Sequence, residues 1–158
     1  MTARLAVALV ALLSLAGCGG AVDTAAGDVC LPSVLQAGPL PSPYDATPAT
    51  ASPWHVGSGY LAVLDYATDR TSTLVPGTRM PDGTTSRVEV RVASAATGDL
   101  TLRGTSTGRT FTQTLPATGP AAYAGDLDVP ATGCWDLALS VGDRELGSLT
   151  VDVVDPPA

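Results

Sequence analysis

From about residue 56 to residue 154 the chain is a series of short runs in which apolar and polar residues alternate. Val88, Val90 and Val92 are interleaved with Arg87, Glu89 and Arg91, and Leu149, Val151 and Val153 share one side of a later run. A period of two places one set of side chains on a buried face and the other on a solvated face, the signature of half-buried strands. Further strand patterns occupy residues 59–67, 99–106, 109–115, 121–129 and 134–141. Turn-forming sequences stand between them at 81–84, 106–109, 130–133 and 141–144. Seven or eight strands at this spacing predict an all-β domain over 56–155, an immunoglobulin-like antiparallel β-sandwich. Helical periodicity is absent outside the first seventeen residues.

The run at 134–141 assigns faces most clearly. Trp135, Leu137, Leu139 and Val141 fall on one side, and Cys134, Asp136 and Ser140 on the other. Trp135, Leu137 and Leu139 are therefore predicted core residues; the alternative for Trp135 is an aromatic platform on the surface. Cys134 is predicted on the outer side or at the start of the strand, away from the space between the sheets.

Upstream of the domain the pattern changes. Leu5–Ala16 is an apolar stretch preceded by Arg4, too short for a stable membrane anchor and of the length found in export signals. It ends in Leu15-Ala16-Gly17-Cys18, which resembles the lipobox of bacterial lipoprotein signals at all four positions. That resemblance implies a signal peptide at 1–17, lipid on Cys18, and an extracytoplasmic protein held to the membrane by that lipid. Residues 18–55 are predicted to be a tether. They begin with small residues and contain a proline-rich stretch at 38–53, which favours an extended, poorly packed chain. Its Ser and Thr residues are either bare linker or sites of O-glycosylation.

The cysteines follow from this reading. With Cys18 lipidated, Cys30 and Cys134 remain, and in an oxidising compartment a disulfide is the expected state. Two free buried thiols, or one reactive thiol, are the alternatives. The bond would pin the N-terminal arm to the outer side of the Trp135 strand.

Composition and charge narrow the function classes. All eight basic residues are Arg, and thirteen of the fifteen acidic residues are Asp, for a net charge of −7. Loss of residues 1–17 removes Arg4, leaving seven Arg against fifteen acidic residues, a charge of −8. This disfavours nucleic acid or anionic lipid as the main partner. Asp is a turn former, so the charge is expected at strand ends as a solvated acidic surface; a calcium-loop spacing is absent. His55, the sole histidine, has no nucleophile signature beside it and is expected as a strand-entrance residue rather than a general base. Gly clusters such as 57–59 lack the strand-to-helix setting of a phosphate loop.

The stretch 123–154 resembles the last three strands of immunoglobulin-like lipoproteins from actinobacteria and related bacteria. These carry a Gly-Cys-Trp-Glu element, then a strand, a Gly-Asp turn and a Val-rich terminal strand. Gly133, Cys134 and Trp135 match, and Asp136 stands where Glu is usual. Residues 54–64 and 98–104 resemble earlier strands of the same group, so the likeness spans roughly 30–154. A looser similarity, through Tyr123, Pro130, Gly133, Trp135 and Val141, runs to YtkA- and FixH-like periplasmic sandwiches, some linked to copper handling. Copper sites gather several Met and His ligands. Here Met80 is the sole methionine after the signal and His55 the sole histidine, so they are weak metal candidates and no cofactor is expected. The expectation is a non-catalytic envelope lipoprotein that binds or supports a partner protein or ligand; the alternative is a metal-handling sandwich, and an enzyme comes third.

Overall fold

The computed structural model describes residues 29–44, 52–65, 73–80 and 82–156. The stretch 1–17, predicted as a signal peptide, and Cys18 lie outside the described residues. Those described contain no helix and form ten strands: β1 (Trp54–Val56), β2 (Tyr60–Leu64), β3 (Thr73–Leu74), β4 (Arg87–Val92), β5 (Leu100–Ser106), β6 (Arg109–Leu115), β7 (Ala117–Gly119), β8 (Ala122–Asp126), β9 (Gly133–Val141) and β10 (Arg144–Val153). Seven have five residues or more and correspond to the predicted runs. The additional β1, β3 and β7 have two or three residues, too few to display an alternation.

Two five-stranded sheets pack face to face, in the orders β1-β2-β4-β8-β7 and β3-β10-β9-β5-β6. With β2, β4, β8 and β7 as strands A, B, E and D, and β10, β9, β5 and β6 as G, F, C and C′, this is the immunoglobulin order. Neighbouring strands are antiparallel except β3, which runs parallel to the end of β10. The connection through Pro116 carries the chain from β6 in one sheet to β7 in the other.

The core between the sheets is built from the predicted alternations. Val88, Val90 and Val92 of β4, Leu100 and Leu102 of β5, and Trp135, Leu137, Leu139 and Val141 of β9 are all buried in one cluster. Trp135 is fully buried. Its ring meets Phe111 edge-on at 5.2 Å, and the Arg109 guanidinium sits 5.6 Å from its centroid. The indole N–H donates to the Ala131 carbonyl at 2.8 Å, so its one polar atom is satisfied. Phe111 fits because Gly104 lies opposite it on β5: a Cβ there would come 2.0 Å from the Phe111 ring.

β10 breaks strict alternation, since both Leu146 and Leu149 are buried. A register shift between Glu145 and Gly147 inserts an extra residue and resets which parity faces inward. Gly147 takes φ +137°, a backbone conformation that favours glycine.

The N-terminal arm departs from the expectation. Residues 29–44, predicted as part of a tether running to residue 55, are packed on the sandwich, and Trp54 and His55 belong to β1. Cys30 is bonded to Cys134, with Cα atoms 5.2 Å apart. The Ser33 N–H then donates to the Thr150 carbonyl, and the Thr150 N–H donates to Ser33 Oγ, both at 2.9 Å, so the arm lies along the edge of β10 just ahead of the stretch that β3 pairs. Leu35 enters the main core, and Gln36 exchanges backbone bonds with Trp54 at the edge of the other sheet. Beyond it, Leu40 and Tyr44 bury against Trp54, Leu61 and Val63 in a second apolar cluster. Full burial of a leucine contributes about 1.5–3 kcal/mol. Leu35 and Leu40 thus hold the arm in place despite its prolines.

Candidate functional site

At one end of the sandwich three connections converge: residues 93–99 between β4 and β5, residues 120–121 between β7 and β8, and the Gly142-Asp143 turn between β9 and β10. Between them lies an open groove of about 640 Å³, floored by Ala95, Ala96, Pro120 and Val141 and edged by Asp143 and Arg144. Gly142, at φ +56°, makes the tight reversal that lets β10 turn back directly after Val141.

Arg144 holds the groove's shape. Its Nη1 donates to Ser94 Oγ at 2.8 Å and its Nη2 to the Ser94 carbonyl at 3.4 Å, tying the β9–β10 turn to the β4–β5 connection. From below, the Tyr123 hydroxyl donates to the Ala96 carbonyl at 3.4 Å, and the Val92 N–H donates to the Ala121 carbonyl at 2.9 Å. The loops are braced by side chains on rigid strands. The groove offers small apolar surfaces, one cation and one carboxylate. It holds no histidine, cysteine or hydroxyl–histidine pair that would make or break bonds. Such a surface can hold a short loop or side chain of a partner.

The sequence-predicted residues lie elsewhere. Cys134 is half-buried on the outer side of β9, and its disulfide joins the arm to the start of that strand. Trp135, Leu137 and Leu139 point the opposite way into the core. His55 is half-buried on β1, its Nδ1 3.1 Å from the Val34 carbonyl and its ring 6.1 Å from Tyr60. Met80 packs against the core in the loop before β4, where its backbone N–H and carbonyl close a turn with Thr84 and Gly83. Each of the two has a packing role, and among the described residues no three His, Cys, Asp or Glu side chains gather into a metal-holding group.

Two polar residues outside the prediction are structural. Ser86 is fully buried; its hydroxyl donates to the Leu127 carbonyl and lies 3.2 Å from the Thr78 carbonyl, pinning two loops. Asp82 accepts from the Thr84 N–H at 2.9 Å and hydroxyl at 2.7 Å, and these bonds hold its carboxyl below the usual carboxylate range. Of the groove, the sequence displayed the 141–144 turn alone; the pairing of Arg144 with Ser94, fifty residues away, leaves no local trace.

Comparison of the chain with family models, with curated proteins and with solved structures found no match.

Proposed function

We propose that the protein is a non-catalytic envelope lipoprotein, held to the membrane by lipid on Cys18, whose sandwich presents the loop-end groove to a partner protein or ligand. The observation that carries this reading is the placement of staple and groove on one strand. Cys30 is bonded to the start of β9 at Cys134, and the groove is lined by the end of β9 at Val141. Val141 lies seven positions along the strand from Cys134, about 24 Å at the usual rise. A chain leading from Cys18 to Cys30 therefore reaches the sandwich at the end opposite the groove. The loops that cluster at one end of such sandwiches are where immunoglobulin domains place variable binding residues. The bracing of these loops by Arg144 and Tyr123 favours a preformed surface.

The membrane half of the reading is tested by processing. The wild type should partition into the detergent phase with Cys18 as its first residue, and Cys18→Ala should abolish both. Recovery in the aqueous phase with another N-terminus would overturn it. The groove half is tested with photo-crosslinking residues placed in cells at Thr97, in the lining of the groove, and at Thr107, in the β5–β6 turn. Adducts should form from Thr97 and be weakened by Arg144→Ala. Adducts from Thr107 alone would refute the assignment.

A further inference from the structure

Five large apolar side chains are notably exposed among the described residues, and three lie within six positions of one another: Val29 at 82%, Leu31 at 78% and Val34 at 79%. Scattered surface leucines and valines need no explanation, but a contiguous stripe does. Cys30 points inward to its disulfide, Ser33 inward to Thr150, and Leu35 into the core. Val29, Leu31 and Val34 stand between these inward contacts and are left facing solvent, with the in–out phase changing at Pro32. A fourth member, Val154, at 39%, follows the end of β10, two residues past Asp152, which pairs with Cys134. Across 29–44 there is no charged residue, in a protein whose charge after the signal is −8.

We propose that this stripe is the face the protein lays on its own membrane, with Val29, Leu31 and Val34 entering the interfacial region of the bilayer. The inference rests on the lipid-anchor reading of Cys18 and extends it from attachment to orientation. Val29 lies eleven positions after Cys18, a span of at most about 40 Å fully extended. The stripe is thus the first described part of the chain after the anchor and lies within its reach. An uncharged segment with an apolar outer face loses little on leaving water for the headgroup–acyl boundary, where such faces seat about 5–10 Å deep. The contact fixes which end of the sandwich is down and turns the groove outward. The acidic surface of the rest of the chain keeps it off anionic lipid.

The test uses the chain from Cys18 onward, with the Cys30–Cys134 bond intact and Cys18 coupled through its free thiol to maleimide lipid in phosphatidylcholine vesicles carrying brominated acyl chains. Two reporters are compared, Leu31→Trp on the stripe and Thr97→Trp in the lining of the groove; both positions are exposed, so the core is untouched. Emission from residue 31 should shift blue and be quenched by bromine beyond the wild-type background, while emission from residue 97 should not. Adding Val29→Ser and Val34→Ser should reduce the quenching at residue 31. Equal quenching at both positions, or none at either, would overturn the proposal, as would burial of residue 31 in a concentration-dependent dimer without vesicles. Chemical coupling supplies the anchor in every arm, so a failure of cellular lipidation would appear in the processing experiment and leave the vesicle result standing.

Discussion

The two outer faces of the sandwich are built from the same kind of strand and end up differently. On the sheet containing β2, the outer face carries Trp54, Leu61 and Val63, and the arm covers it with Leu40 and Tyr44. Arg91 closes the margin, donating to the Tyr44 carbonyl at 3.1 Å and to Glu89 at 2.7 Å. On the sheet containing β9, the outer face carries Thr101, Arg103 and Thr105 of β5 with Asp136, Ala138 and Ser140 of β9, and beyond the staple it stays open to solvent. A strand needs cover on both sides when its residues are apolar on both sides. β2 reads Tyr-Leu-Ala-Val-Leu and is buried at all five positions, whereas β9 alternates. The arm supplies the second cover where the composition of β2 demands one.

The largest test of this contrast leaves both outer faces alone. Trp135→Ala removes the ring that fills the space between the sheets, together with its contacts to Phe111 and Arg109. The cost should be about 3–5 kcal/mol, measured by urea denaturation, with both faces lost in one transition. A folded variant of unchanged midpoint would show that the core does not depend on this residue.

Next in size, Cys30→Ser combined with Cys134→Ser should lower stability by about 2–4 kcal/mol, since the bond closes a loop across a sequence separation of 104. The loss should be uneven. Trp54, under the arm, should become accessible to aqueous quenchers, and Trp135, between the sheets, should not. If both tryptophans open together, arm and sandwich form one cooperative unit and the contrast between the faces fails.

An effect of similar size separates the faces directly. Leu61→Ala, on the covered face, should cost about 2–4 kcal/mol. Arg103→Ala, on the open face, should change stability by less than about 0.5 kcal/mol. Equal costs would mean that the arm does not seal its side.

The same comparison explains what could be read in advance. β4 and β9 pack one face only, so their alternation announced both strand and face, and the outward side of Cys134 followed from parity alone. β2 was found as a strand, but its unbroken apolar run also meant that something must lie over Leu61 and Val63, and the prolines of 38–53 drew attention from that requirement. Leu40 and Tyr44 are each isolated among prolines and small residues, so no period connects them to the strand they cover. The bulge in β10 was hidden because Leu146 and Leu149 have opposite parity and the inserted residue appears only in the pairing with β9. The groove needed three loops brought together by the topology, and its brace joins residues from two of them.

The smallest effect lies where the sheets meet beneath the arm. Tyr60 of β2 is fully buried and its hydroxyl donates to the Ser148 carbonyl of β10, a bond from one sheet to the other. Gly57 leaves the ring its space, since a Cβ there would stand 2.0 Å from Tyr60 Cε1. Burial, and then the negative charge of Asp136, push the phenol's pKa well above its ordinary value. A group that holds its proton more tightly when folded contributes stability that is complete below its unfolded pKa of about 10 and is lost as pH rises above it. Tyr60→Phe should therefore cost about 1 kcal/mol at pH 7, from the lost hydrogen bond, and should flatten the fall in stability above pH 10. Tyr44, which belongs to the arm on the opposite side of β2, is shifted upward by burial too and should leave a residual slope that Tyr44→Phe removes. Urea midpoints measured across this alkaline range read both residues. A slope unchanged by Tyr60→Phe would place the alkaline loss in the arm instead of at the junction of the sheets.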